Sequence, residues 1–212
     1  MFKQKLKHRF HRTLIGNVLE GYRIKQTYER WLGKDELATV SHATKQLAVK
    51  NLAQKYGIRV FIETSTFLGD MVGAVTSYFD RIYSIELSED LFNQAVKKFA
   101  AYNHVTILHG DSFNVMAEIL RHIDVPCLFW LDGHYSSGDN EKEKREATIL
   151  KELKQICAHT IKNHVILIDD AHLFTGRNEY PTLEFLRNCV GSRLPCYEFD
   201  VRNDIIRIYK KL

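Results

Sequence analysis

The chain has only three prolines in 212 residues, Pro126, Pro181 and Pro195, and each stands where one structural element gives way to the next. It has no C-x-x-C pair. Its four cysteines, Cys127, Cys157, Cys189 and Cys196, are too widely spaced for a zinc knuckle or a redox dithiol. Cys127 and Cys157 fall within apolar patterns and read as small core residues. No apolar run approaches the ~20 residues that a membrane-spanning helix needs. Residues 1–12 are basic with no apolar stretch behind them, which does not read as a signal peptide, so a reducing, cytoplasmic setting is the expectation. Internal repeats and low-complexity stretches are absent. Excess charge of one sign is missing too. The net charge of +4 is too mild to argue for nucleic acid, and 45% hydrophobic with 26% charged residues is ordinary for a globular protein.

Five short apolar runs are present, and each ends in or beside a carboxylate. They are R-V-F-I-E at Glu63, R-I-Y-S-I-E at Glu86, H-V-T-I-L-H-G-D at Asp111, C-L-F-W-L-D at Asp132 and H-V-I-L-I-D-D at Asp169 and Asp170. Successive acids are 23, 25, 21 and 37 residues apart, room enough each time for a crossover helix. The runs are continuously apolar, as strands buried on both faces are. Between them lie stretches with 3.6-residue periodicity: Leu91, Phe92, Ala95, Val96 and Phe99; Phe113, Met116, Leu120 and Ile123; Ala147, Leu150, Leu153 and Ile156. Alternating strand and helix predicts a doubly wound, Rossmann-like α/β sheet.

The two ends depart from this rhythm. Only Arg202, Asn203 and Asp204 separate the strand-like stretches 196–201 and 205–209, so these must form a hairpin with an antiparallel last strand. The expected architecture is a seven-stranded sheet closed by that hairpin over residues 41–212, behind a basic helical extension, residues 1–40. A helix is expected from a cap at Ser41 to Gly57, with Leu47, Leu52 and Tyr56 on one side.

In open parallel sheets ligands bind outside the carboxyl ends of the strands, so the acids mark a site. The turn after the first run, E-T-S-T-F-L-G-D, has Gly69 as its single glycine, so no dinucleotide cradle is expected there. Asp70 or the residues before it can cap the helix that follows. An acid at the end of the second strand, here Glu86, commonly holds ribose hydroxyls.

Taken in order, E-T-S-T-F-L-G-D, I-Y-S-I-E-L, H-G-D-S, F-W-L-D-G-H-Y and V-I-L-I-D-D, with the terminal hairpin, resemble a class I S-adenosylmethionine-dependent methyltransferase. The resemblance covers the chain from about Gly57 onward. It implies that Glu63, Thr64, Ser65, Thr66, Gly69 and Asp70 wrap the methionine part of the cofactor. Glu86 would bind the ribose, Leu87 would pack on adenine, Asp111 and Ser112 would approach the adenine edge, and Asp132 would lie near the sulfonium. The family usually has glycine where this chain has Ser65. A Cβ there costs about 1–2 kcal/mol if φ is positive. With negative φ the hydroxyl can instead reach the cofactor carboxylate.

Asp132, Asp169 and Asp170 close neighbouring strands, and three clustered acids repel one another unless a proton or a cation neutralises them. The set resembles that of metal-dependent sugar O-methyltransferases of the macrocin group, which implies Mg²⁺ ligation by all three. Such an ion lowers the pKa of an acceptor hydroxyl, and a histidine takes the proton. His134 is the first candidate and His172 the second. The polar segment 135–143 reads as a substrate loop, with Tyr180 on its far side.

The expected activity is O-methyl transfer, metal-assisted in that family's manner, to a sugar, glycan or small natural product. The alternative is an inactive methyltransferase-fold scaffold, which Ser65 favours. The absent glycine fingerprint argues against an oxidoreductase, and W-L-D-G-H-Y in place of an N/D-P-P-Y motif argues against nucleic acid as acceptor. Phe2, Leu6, Phe10 and Leu14 alternate with Lys and Arg in the extension. That pattern fits peripheral contact with anionic lipid, a homodimer helix, a lid over the cofactor or a plain solvated helix.

Overall fold

The computed structural model describes residues 41–132, 142–177 and 180–211. The basic extension, the loop that carries His134 and the side chains of residues 142–147 lie outside the described residues. The chain divides into units 1–39 and 40–212, and the second is described here.

Helix α1 (His42–Tyr56) starts at an N-cap where Ser41 Oγ accepts from Thr44 N–H, and it ends at Gly57 in the left-handed region. Five parallel strands follow: β1 (Val60–Thr64), β2 (Arg81–Glu86), β3 (Val105–His109), β4 (Cys127–Leu131) and β5 (Val165–Ile168). Helices α2 (Asp70–Val75), α3 (Glu89–Phe99), α4 (Ser112–Arg121) and α5 (Lys142–Ala158) make the crossovers. After β5 come a 3₁₀ turn (Ala171–Leu173), α6 (Leu183–Arg193) and the hairpin of β6 (Tyr197–Arg202) and β7 (Ile205–Lys210). The strand order is β3-β2-β1-β4-β5-β7-β6, with β7 antiparallel to both neighbours. The hairpin turn places Asn203 and Asp204 at φ 55° and 57°, the doubly left-handed geometry that two-residue hairpins favour. This is the seven-stranded sheet expected from the sequence.

Burial follows the topology. Strands β1, β4 and β5 are buried throughout, whereas β3, at the sheet edge, is half-buried. One apolar cluster, around Phe129, Ile166 and Met116, packs one face; the other is built on Phe61, Val49, Val72 and Leu167. Two helix faces differ from their patterns. Helix α1 buries Ala48, Val49, Leu52 and Ala53, while Leu47 is 54% exposed. Small residues permit close approach of α1 to β4 and β5, and Leu47 is rotated off that contact. Val96 of α3 is likewise exposed. Tyr180, expected beside the acceptor, is buried instead against Phe174, with ring centroids 5.3 Å apart. Among the described residues no helix is long and apolar enough to cross a membrane, and all four cysteines are free thiols.

A histidine pair, His164 buried and His159 half-buried, joins the bottoms of β4 and β5 to the helices. His164 Nδ1 accepts from Cys127 N–H at 3.0 Å, His164 Nε2 lies 3.0 Å from His159 Nδ1, and His159 Nε2 lies 2.9 Å from the Leu120 carbonyl. The first contact requires a lone pair on Nδ1, so each ring passes one N–H onward and both fit only as neutral imidazoles. Burial pushes His164 down to about 4. The unfolded chain takes up this proton near pH 6.5, and the folded one does not until about pH 4. The His164 contribution to stability should therefore fall across that interval by about 3 kcal/mol, against the opposite trend of the buried carboxyls. Urea melts of wild type and His164→Phe at pH 7 and 4.5 measure this: the variant should gain about 2–3 kcal/mol relative to wild type between the two pH values.

Candidate functional site

The strand order reverses between β1 and β4, so the crevice between them opens at the carboxyl edge of the sheet. The predicted acids all line this edge or the elements beside it. Their surroundings differ.

Glu63 is 2% exposed and faces Ser84 of β2 in register. Ser84 Oγ donates to its carboxyl at 2.6 Å and lies 2.7 Å from Thr66 Oγ1, so a chain of one carboxyl and two hydroxyls ties the loop after β1 to the sheet. Burial, followed by the charges of Asp132 and Glu86, pushes the Glu63 carboxyl up to about 8 despite the bond from Ser84. Thr64 Oγ1 accepts from Asp132 N–H at 3.2 Å, stitching the ends of β1 and β4 together.

The loop itself is tightly curled. Ser65, Phe67 and Gly69 have φ of 64°, 48° and 69°. The condition left open for Ser65 resolves to the left-handed region, where a Cβ is disfavoured. Nothing in the residue pattern signals that Phe67 adopts this conformation as well. Gly69 has a further reason to be glycine, since a Cβ there would lie 2.6 Å from Phe99 Cε2. Lys98 of α3 braces the loop by donating to the Leu68 carbonyl at 2.6 Å. Gly69, and not Asp70, is the N-cap of α2; Asp70 lies in the first turn and pairs with Lys98 at 3.6 Å.

Glu86 is buried at the end of β2. Its carboxylate accepts from Phe67 N–H at 2.7 Å and from Ser88 N–H at 2.9 Å. It thus fastens the β1 loop to the start of α3. Two N–H donors use only part of the acceptor capacity of a carboxylate, so Glu86 can still receive a pair of hydroxyls. The next residue, Leu87, is 39% exposed. His109 Nε2 meets its carbonyl at 3.0 Å, and the His109 ring is 5.1 Å from Phe92. These residues fit a nucleoside.

Asp111 is exposed and caps α4, its Oδ1 accepting from Asn114 N–H at 3.2 Å. Ser112 departs from expectation. It is 4% exposed and donates to Glu152 of α5, so its hydroxyl serves the α4–α5 contact rather than the nucleoside edge. Glu152 is itself buried and, mainly by burial, is pushed up to about 8. It escaped the sequence reading, although it lies three residues after Ile149 and four before Ile156 on the buried stripe.

At the other end of the crevice the metal expectation meets a different cation. Lys45, in the first turns of α1, places Nζ 2.6 Å from Asp169 Oδ1 and 2.9 Å from Asp170 Oδ1. All three side chains are between 10% and 13% exposed. Asp169 Oδ1 also accepts from Asp170 N–H at 2.8 Å. Burial and the neighbouring charges of Asp170 and Asp132 push Asp169 up to about 7, against the pull of Lys45. Nor do Asp132, Asp169 and Asp170 form the convergent donor set. Among the described residues the group whose ligand atoms converge, within 4.8 Å of one another, is Asp170, His172 and Asp204. There His172 Nδ1 is 2.7 Å from Asp204 Oδ2, and His172 N–H donates to Asp204 Oδ1 at 2.8 Å, docking the hairpin turn onto the 3₁₀ turn. The three predicted ligands as arranged do not fit a resident Mg²⁺: their oxygens do not converge as a set, and Lys45 holds one oxygen each of Asp169 and Asp170.

No family model matches the chain, and no curated protein does. Solved structures do. An O-methyltransferase from Bacillus cereus in complex with SAH matches with a TM-score of 0.60 at 15% identity, covering 100% of both chains. The O-methyltransferase TomG from Streptomyces achromogenes, involved in tomaymycin synthesis and in complex with SAM, matches at 0.59 and 14%, covering 90% of this chain and 88% of that one. SAH-bound methyltransferase PaMTH1 from Podospora anserina matches at 0.55 and 14%, covering 100% and 96%. At such identities the likeness establishes the fold, that of the class I methyltransferases.

Proposed function

We propose that this chain is an S-adenosylmethionine-dependent methyltransferase that acts on a hydroxyl of a sugar, glycan or small natural product. One observation carries the reading. Glu86 is a buried carboxylate at the end of β2, fixed by Phe67 and Ser88 N–H, beside exposed Leu87 and a loop curled through three left-handed residues. Solved proteins of this fold hold SAM or SAH.

In this reading Glu86 receives the ribose hydroxyls, Leu87 packs on the adenine and Asp111 lies at its edge. The loop from Glu63 to Gly69 encloses the amino-acid end. Because Glu63 is pushed up to about 8 by burial, it is neutral at pH 7 and can donate as well as accept. The methyl donor, when bound, supplies an electrophilic sulfonium methyl. The acceptor oxygen must then be held in line and lose its proton. His172 suits proton removal: with Nδ1–H directed to Asp204, its Nε2 is the basic nitrogen. His134 remains a candidate of the same kind, outside the described residues. Ser65 and Phe67 in left-handed backbone favour the second reading, an inactive scaffold, since a glycine would hold that conformation without strain and let a donor approach more closely.

Titration with S-adenosylhomocysteine separates these. Saturable binding, with S-adenosylhomocysteine released from S-adenosylmethionine in a screen of hydroxylated acceptors, is expected. Binding without release across all acceptor classes would support the scaffold, and the absence of binding heat or spectral shift would sink both.

A further inference from the structure

We propose that the Lys45 ammonium is the resident cation of the Asp169–Asp170 pair and stands in place of a divalent ion, making Lys45 a positioning residue for the carboxyl edge of the site. The placement is not what helix chemistry favours. Lys45 is four residues past the Ser41 cap, where the positive end of the helix dipole disfavours a cation, and no acidic residue of the first turn compensates. The acids of a different element supply the compensation, at 2.6 and 2.9 Å.

The framework around the pair is rigid. Helix α1 is fixed at both ends by its caps and packs Ala48, Val49, Leu52 and Ala53 into the core, which sets the reach of Lys45. Asp169 N–H continues the sheet by donating to the Leu131 carbonyl at 3.0 Å. Asp170 has φ 53°, a left-handed conformation that turns the chain directly after the strand. Hard divalent ions bind through carboxylate oxygens of this kind. Here Lys45 already holds one oxygen of each carboxylate, Oδ1 in both, and on Asp169 that oxygen also accepts from Asp170 N–H. A single positive charge on a tethered stem offsets one of the pair's two negative charges, at lower charge density than Mg²⁺ would. It orders the acids and leaves deprotonation of an acceptor to a base rather than to a Lewis acid.

Mn²⁺ titration followed by electron paramagnetic resonance tests this on the intact protein. Wild type should show no Asp169-dependent Mn²⁺ binding. Lys45→Met, which keeps an apolar stem and removes the charge, should gain it, with affinity tighter by roughly tenfold or more. The gain should vanish in the Lys45→Met/Asp169→Asn double variant, and Lys45→Arg should bind no ion. Lys45→Gln serves where the methionine variant folds poorly. Mn²⁺ bound by wild type and lost in Asp169→Asn would overturn the proposal, as would absence of binding in both folded neutral variants. The proposal rests on the methyl-transfer reading only for its consequence, that transfer survives EDTA. Ion binding is measured without the methyl donor, so either idea can fail alone.

Discussion

Glu86→Ala should weaken S-adenosylhomocysteine binding by at least about a hundredfold and should also loosen the loop after β1. Both effects follow from one carboxylate with two duties. Hydrogen bonds to a charged group contribute about 1.5–3 kcal/mol each, so losing two ribose contacts reaches that factor. The loop effect comes from Phe67 and Ser88, whose N–H groups now end on Glu86 at 2.7 and 2.9 Å. Stranding two partly buried donors should cost about 2 kcal/mol or more of stability. Glu86→Gln divides the two roles. Its amide offers one oxygen, so one N–H stays satisfied while the other faces an NH₂ group. It should lose less stability than the alanine variant but still bind the nucleoside much more weakly. Calorimetric titration and urea melts of both variants read these quantities. Unchanged affinity in folded Glu86→Gln would remove the ribose assignment, and unchanged stability in Glu86→Ala would remove the clamp.

The frame of the protein was legible because it is written in local chemistry. Continuous apolar runs such as C-L-F-W-L become strands buried on both faces, and Ser41 and Gly57 cap α1 as their side chains and backbone freedom dictate. The hairpin followed from chain length alone. Contacts between elements were not legible. Lys45 reads as an ordinary helical lysine, and nothing within α1 signals that its partners lie about 125 residues away. Leu47 fits the apolar stripe equally well, yet close packing of α1 on the sheet selects small residues and turns Leu47 out. Ser112 looked like a nucleoside contact because it follows Asp111, and only the tertiary position of Glu152 turns it inward. The acids themselves were found in order. Their partners were not, since the pairing of Lys45 with Asp169 and Asp170 joins elements far apart in sequence.

Glu152→Gln should make the protein more stable at pH 8, by about 2 kcal/mol or more. Both Glu152 and Glu63 are pushed from the ordinary 4.5 up to about 8, chiefly by burial. The unfolded chain releases these protons near pH 4.5, whereas the folded chain retains them until about pH 8. Their contribution is therefore fully present below pH 4.5 and is lost progressively as pH rises to about 8. Each group costs about 1.4 kcal/mol per pH unit within that window, so about 2 kcal/mol disappears per group between pH 6.5 and 8. The His164 effect is complete above pH 6.5, and Cys127 and Cys157 are pushed up to about 12 and 11, so they act only from about pH 9. Asp169, raised to about 7, adds to the slope in its lower part. Glutamine keeps the carbonyl that accepts from Ser112 and has no proton to lose. Chemical melts at pH 6.5, 7.25 and 8 should show a steep decline in wild type, a shallower one in Glu152→Gln and the shallowest in the double variant with Glu63→Gln. Should Glu152→Gln lose stability equally at all three pH values, the buried carboxyl is not held protonated, and packing alone explains its place. The double variant reaches further, because Glu63 lies within the cofactor loop. A neutral Glu63 is already the resting form at pH 7, so Glu63→Gln should bind S-adenosylhomocysteine within a fewfold of wild type, in contrast to Glu86→Gln.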